Sequence, residues 1–368
     1  MTNAVHTALR SEKLNPRFAS WVGGWAVLFT SIRGLVRASR AADDLLYPGW
    51  RDVDVRQPVF IVAQARSGTT LLHRLLALDE ERFTTTKLYQ TLLPSVSLYR
   101  AVDRAAQVDR RWLGGRLARA VAWLDERAFP GFKQVHPTSF NQPEEDECLF
   151  VYSLLSPTFF MLFPFVEELD RVRSVENMSP DDRARLMAYY DSCLQRHLHA
   201  EGEHRTMLIK NVLTASRLDA LLEAYPDARI IYLLRHPYES IPSAISMFTM
   251  PWRVLFPGTR PEDFRAFGRL MTEYYRKYAE LVDRLPPEQL MTIRFEELVR
   301  DPRETVGRIY RHFGWTLPPE VDARLRNACQ AKAGHRSTHR YDLDDFGLSR
   351  DDVQRDLADL FDRYGFDR

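Results

Sequence analysis

Arg66-Ser67-Gly68-Thr69-Thr70, within "PVFIVAQARSGTTLLHRLLALD", are residues of the kind that grip an anion. Gly68 lets backbone amides approach a ligand, three hydroxyls add donors, and Arg66 adds a charged fork. An apolar run precedes them and an amphipathic stripe follows. Such a loop ends a strand and opens a helix, where free N–H groups and the helix dipole favour negative charge. The pattern is not that of a nucleoside-triphosphate loop. Ala63 stands where the first glycine belongs, and Thr69 stands where the lysine belongs. The lysine and its neighbouring hydroxyl serve a triphosphate with magnesium, so their absence argues against an ATPase or GTPase.

A second constellation lies in "IIYLLRHPYESIPSAISMF". Arg235 ends an apolar run, and Ser243 follows on the helical stretch after it. An arginine at the carboxyl end of a sheet strand sits where α/β folds bind ligands, and Ser243 is expected to share the anion.

The elements that must position these groups can be read from the pattern. Apolar runs at 59–64, 206–211, 228–235 and 290–295 read as buried parallel strands. Helical stripes follow the first three, over Thr69–Leu78, Leu213–Ala224 and Tyr238–Phe248, with Pro242 expected in the first turn of the last. Strand then helix, repeated, predicts an α/β fold with a central parallel sheet. "RDPRETVGRIYRHFGW" predicts a further helix with Asp301 as N-cap, Pro302 at the first position and Gly314 at its end. Residues 88–205 read as a mostly helical insertion between the first two apolar runs. No linker or internal repeat appears.

The 368 residues carry 45% hydrophobic and 27% charged side chains, a globular composition, and a net charge of +1. No global field argues for a nucleic-acid partner. Cys148, Cys193 and Cys329 are few and far apart, so a reducing compartment is expected. "MTNAVHTALRSEKLNPR" is polar, with no secretory h-region. The expected location is therefore cytoplasmic. The stretch Phe18–Ile32 is 15 residues without a charge, between Arg17 and Arg33. As a helix it rises about 22 Å, too short to span a bilayer. Trp21, Trp25, Phe29 and Ile32 give it one apolar face. That face either packs on the body of the protein, meets another copy in a homo-oligomer, or makes a peripheral membrane contact with Arg33, Arg37 and Arg40 towards anionic lipid.

Taken together, "QARSGTTLLHRLL", "YLLRHPYESIPS", "IRFEELVRDPRETVGRIYRHFGW" and "AGHRSTHRYDLDDFGLSRDDV" resemble the PAPS-dependent sulfotransferases, in their bacterial branch. The motifs occur in the family's order from Pro58 to about Gly365. The resemblance implies a P-loop-like three-layer α/β/α domain over residues 51–368, after an apolar helical extension over 1–50. It implies that Arg66, Ser67, Gly68, Thr69 and Thr70 hold the 5′-phosphosulfate of 3′-phosphoadenosine 5′-phosphosulfate (PAPS). Arg235 and Ser243 would hold its 3′-phosphate, helped by Arg336, with Lys332 nearby in the same basic tail. No metal is needed. Arg66 replaces the lysine of the cytosolic members and keeps its charge, and Ala65 replaces their proline.

Sulfuryl transfer to a hydroxyl calls for a general base. The cytosolic K-T-H stretch reads Lys210-Asn211-Val212 here, which keeps the lysine and lacks the histidine. The G-E-E-T-R stretch of the protein-tyrosine enzymes corresponds to "FTTTKLYQ", which has no carboxylate. "HPTSFNQPEEDECLF" resembles the H-P…P-E-E segment of bacterial members, so Glu144, Glu145 and His136 are the candidate bases. Pro143 is expected to start a helix whose first turn holds the acids, as the helix dipole alone would favour. Lys210 is expected on the sulfuryl group. Aromatic residues in 154–169 and 246–258 are candidate walls of a greasy pocket for a small hydroxylated acceptor, or else core. The rival readings are a P-loop-type kinase and a non-catalytic nucleotide-binding or membrane-peripheral protein.

Overall fold

The computed structural model describes residues 15–128, 139–331 and 341–367. Five parallel strands form one sheet in the order β2-β3-β1-β4-β5. They are β1 (Val59–Ala63), β2 (Phe83–Thr84), β3 (Thr206–Asn211), β4 (Arg229–Leu234) and β5 (Leu290–Arg294). The register aligns Val59 with Leu208 on one side and with Arg229 on the other. β1 feeds a connection towards one edge of the sheet, and β4 feeds one towards the other edge. The carboxyl ends of β1 and β4 therefore flank the topological switch point, the usual ligand crevice of such sheets.

The pleat sorts side chains into two cores. Phe60, Val62, Ile209, Ile230 and Tyr232 face one. Val59, Ile61, Leu208, Ile231 and Ile293 face the other. Seven helices bear on the site and are numbered here: α1 (Pro16–Leu46), α2 (Thr69–Leu76), α3 (Glu147–Val151), α4 (Pro180–Glu201), α5 (Pro237–Leu255), α6 (Phe295–Arg300) and α7 (Pro302–His312). Leu72 and Leu75 of α2, Leu298 of α6 and Val306 of α7 cover the second core. Phe18 of α1, Tyr190 and Leu194 of α4 and Ile241 of α5 cover the first. Helices thus lie on both faces of the sheet, the three-layer α/β/α arrangement.

Four strands match the apolar runs, and the order adds corrections. β2 is two residues long and pairs with β3, so the helical insertion falls between β2 and β3. α6 follows β5 without a gap, where no helix was expected. The 213–224 stretch opens as a 3₁₀ turn over Thr214–Arg217 before the helix Leu218–Ala224. Pro237, not Pro242, occupies the first turn of α5, with His236 as N-cap; Pro242 and Pro251 both lie inside the helix. The Asp301 cap stands as expected, its side chain accepting from the Glu304 N–H at 2.9 Å.

α1 is fastened to the body. The Asn15 side chain accepts from the Phe18 N–H and donates to the Leu255 carbonyl. Near its other end Asp43 is fully buried. It accepts from Ser95, from the N–H groups of Val96 and Ser97, and from Arg196 at 3.2 Å. Phe18, Phe29 and Val36 are buried, whereas Trp21 stays 48% exposed. Arg40 does not point outward: it donates to Ser192 at 2.6 Å and to the Pro94 carbonyl at 3.2 Å. Among the described residues no helix is long and apolar enough to cross a membrane. Phe160 and Trp252, read as candidate pocket walls, are buried in the first core, and the Trp252 indole donates to the Phe160 carbonyl at 2.6 Å.

Candidate active site

The loop from Gln64 to Thr70 joins β1 to α2 with two residues in the left-handed region, Arg66 at φ 68° and Gly68 at φ 86°. A Cβ on Gly68 would come within 3.1 Å of both Leu298 and Phe295. The glycine is therefore needed for the close seat of the loop on α6. Ser67 and the Gln64 amide are buried, and neither Ser67 Oγ nor either Gln64 amide atom has a hydrogen-bond partner. A buried polar group left unpaired costs about 1–3 kcal/mol. Orphaned groups in a loop of this shape fit a ligand that brings its own polar atoms.

Lys210 stands beside this loop, at the end of β3 next to β1. It is 1% exposed, not a surface lysine. Its ammonium lies 3.2 Å from Thr70 Oγ1, 3.1 Å from Glu145 Oε1 and 3.4 Å from Glu144 Oε1. The carboxylates are delivered by an extended segment, not by a helix starting at Pro143. Pro143 bridges to Lys87, the Glu144 N–H donates to the Thr86 carbonyl at 2.9 Å, and α3 begins only at Glu147. The acid run then divides. Glu144 and Glu145 meet Lys210. Asp146 accepts from Tyr190 at 2.5 Å and from Asn211 at 2.6 Å. Glu147 accepts from Asn211 at 2.7 Å and from Arg217, whose guanidinium lies 3.7 Å over the Phe150 ring. The helix dipole therefore does not account for these acids; each has a specific buried partner.

Glu145 keeps 18% of its side-chain surface open. Loss of solvent around it, together with the charges of Glu144 and Glu147, pushes its carboxyl up to about 7 against the opposing pull of Lys210. A carboxylate poised there can accept a proton near neutral pH. His73 also neighbours Lys210, but burial and that lysine push its imidazole down to about 3. It stays neutral, with Nε2 3.3 Å from the Leu208 carbonyl.

The second constellation closes on the same loop. Arg235 donates to the Arg66 carbonyl and holds Glu239 through Nε at 3.0 Å and Nη2 at 2.8 Å. Its guanidinium lies 4.3 Å over the Phe295 ring. Burial and the charge of Arg235 both lower the pKa of Arg66, which marks two cations held close together, a setting that an anion relieves. Ser243 lies one turn along α5 from Glu239, on the same helix face. The C-terminal segment meets this end too: the His236 ring packs on Phe366 at 4.9 Å. His136, Lys332 and Arg336 lie outside the described residues.

Sequence reasoning missed Gln64, Asn211 and Arg217. Asn211 entered only as the middle residue of the Lys210-Asn211-Val212 stretch, in which Val212 takes the place of the histidine. Gln64 and Asn211 did carry a signal, a polar side chain at the end of an otherwise apolar strand. Arg217 carried none.

The model of the sulfotransferase family matches residues 58–319. The omega-hydroxy-beta-dihydromenaquinone-9 sulfotransferase Stf3 of Mycobacterium bovis is 28% identical over 323 residues, covering 84% of this chain and 76% of that protein. Sulfotransferase STF9 of Mycobacterium avium superposes with a TM-score of 0.79 at 20% identity, over 99% of this chain and 90% of that one. STF1 of Mycobacterium tuberculosis does so with a TM-score of 0.72 at 22% identity, over 97% and 90%. The two structures share the fold, and the family match sets aside the kinase and binding-protein readings. The chain belongs to the PAPS-dependent sulfotransferase family, in its bacterial branch.

Proposed function

We propose that this enzyme sulfates a hydroxyl of a small hydrophobic acceptor, with Glu145 as general base. The observation that carries this reading is the contact of Lys210 with both Glu145 and Thr70, which sets a proton acceptor against the anion loop. Ser67, the loop amides, Thr69 and Thr70 would hold the 5′-phosphate side of PAPS, and Arg235 with Ser243 the 3′-phosphate. When bound, PAPS supplies the sulfuryl group and leaves as adenosine 3′,5′-bisphosphate. Arg66 offsets charge on the departing phosphate oxygen, and Lys210 offsets charge on the sulfuryl oxygens. Glu145 accepts the acceptor's hydroxyl proton as its oxygen bonds to sulfur. Burial, helped by repulsion from Glu144, keeps Glu145 basic. The relative that acts on a hydroxylated menaquinone supports a lipophilic acceptor.

The test is calorimetric titration with adenosine 3′,5′-bisphosphate, 5′-AMP and ATP–Mg, on wild type and Arg235→Ala. The bisphosphate should bind more tightly than AMP, and Arg235→Ala should erase roughly 10- to 150-fold of that preference. Tightest binding of ATP–Mg, or an unchanged preference in the variant, would sink the donor assignment.

A further inference from the structure

A cavity of about 500 Å³ lies between α1, α4 and the residues just after α3, and its lining includes Arg33, Arg37, Arg40, Arg196, Tyr152 and Tyr189. Its arginines fall into two pairs. Arg196 is committed to Asp43 and Asp44, at 3.2 and 2.9 Å. Arg40 is committed to Ser192 and Pro94 and lies 4.9 Å over the Tyr189 ring. Arg33 and Arg37 are one turn apart on α1, and among the described residues neither has an acidic partner. Like charges at this spacing destabilise a helix. The Arg33 pKa is lowered by burial and by Arg37.

Asp44 also lines the cavity and already serves Arg51, at 3.0 Å, as well as Arg196. Val36, Tyr152 and Tyr189 give the cavity an apolar wall. Its volume is in the range that takes an organic ligand. Two forked guanidinium groups suit a phosphate or sulfate ester, which can accept from both.

We propose that this cavity binds an amphiphile with a phosphate-type head, the head between Arg33 and Arg37 and the apolar body against Val36, Tyr152 and Tyr189. None of the cavity's lining residues belongs to the loop after β1 or is Glu144, Glu145 or Lys210, and α1 precedes the residues matched by the family model. The ligand chemistry is that of an anionic phospholipid or of a free aliphatic or aromatic phosphate ester.

The test is calorimetric titration with monomeric dihexanoyl phosphatidic acid, dihexanoyl phosphatidylcholine, phenyl phosphate and inorganic phosphate. It is run on wild type and on Arg33→Gln/Arg37→Gln. The phosphatidic acid should bind one to one, more tightly than the phosphatidylcholine, and the double variant should weaken it roughly tenfold or more. Phenyl phosphate binding as tightly as the lipid would support the site and assign it to free esters. The variant should keep its affinity for adenosine 3′,5′-bisphosphate and should melt no lower than wild type, since it removes a repulsion. Three outcomes overturn the proposal: no binding of either organic phosphate, equal binding by the variant, or inorganic phosphate binding as tightly as the organic probes.

Discussion

The Lys210 ammonium lies 3.1 Å from Oε1 of Glu145, and the same ammonium reaches Thr70 of the loop after β1. One cation thus ties a carboxylate of elevated basicity to the anion loop. Replacing Glu145 by glutamine keeps the shape and removes the proposed base. The turnover number should fall by about 10²- to 10⁴-fold. Affinity for adenosine 3′,5′-bisphosphate should hold within about twofold. Turnover in Glu144→Gln should fall less. Equal turnover in wild type and Glu145→Gln would remove Glu145 from the mechanism.

The acid limb of the pH profile should report the same group. The proposed base would work when ionised, and burial pushes its carboxyl up to about 7, so turnover should rise with pH through that region and level off above it. An acid limb near the ordinary carboxylate value would show that Glu145 is not the group titrating.

Stability should run the other way. The Glu145 carboxyl stands at about 7 in the fold against 4.5 ordinarily, so between those values the folded state holds the extra proton. That contribution is fully present below the lower value and is lost as pH rises through the upper one. Melting temperature should therefore fall from about pH 5 to about pH 8 by more in wild type than in Glu145→Gln. Parallel curves would contradict this.

Gly68→Ala combines a left-handed backbone with contacts at 3.1 Å to Leu298 and Phe295. It should cost about 1–3 kcal/mol and weaken binding of adenosine 3′,5′-bisphosphate. Gly258→Ala is the control, because Gly258 is also left-handed, at φ 90°, but faces open space. It should show the backbone cost alone, with nucleotide affinity intact.

The pairing of Arg217 with Glu147 is buried on both sides. Arg217→Met would strand a buried carboxylate and should cost about 3–5 kcal/mol in urea denaturation, with Arg217→Met/Glu147→Leu recovering part of that. Loss under about 1 kcal/mol would mean that the pair is not structural.

Much of this was legible in the chain, for reasons that differ by element. β1, β3 and β4 lie inside the sheet with both faces covered, and such runs stand out; β5 lies at the edge but still shows Leu290, Met291 and Ile293. β2 has two residues and no pattern to read. The loop Gln64–Thr70 and Arg235 were legible because they follow strand ends at short range. Glu144 and Glu145 could be named as candidates but not placed, since Lys210 lies 66 residues from Glu144. The run Glu144–Glu147 looked like a helix N-terminus because local spacing cannot show that Asn211 and Arg217 wait across the fold. Phe160 and Trp252 could serve equally as pocket wall or core, and only packing decides between them.

The bond from Arg235 to the Arg66 carbonyl also has a geometric consequence. It braces the Arg235 side chain against the backbone of the loop that carries Arg66, so on the proposed assignment the spacing of the two anion sites is set before any nucleotide arrives. The crevice then works as a gauge. On that assignment it would admit a molecule whose two charged ends are the right distance apart and pass over one whose phosphates are gathered in a single chain, whatever its total charge.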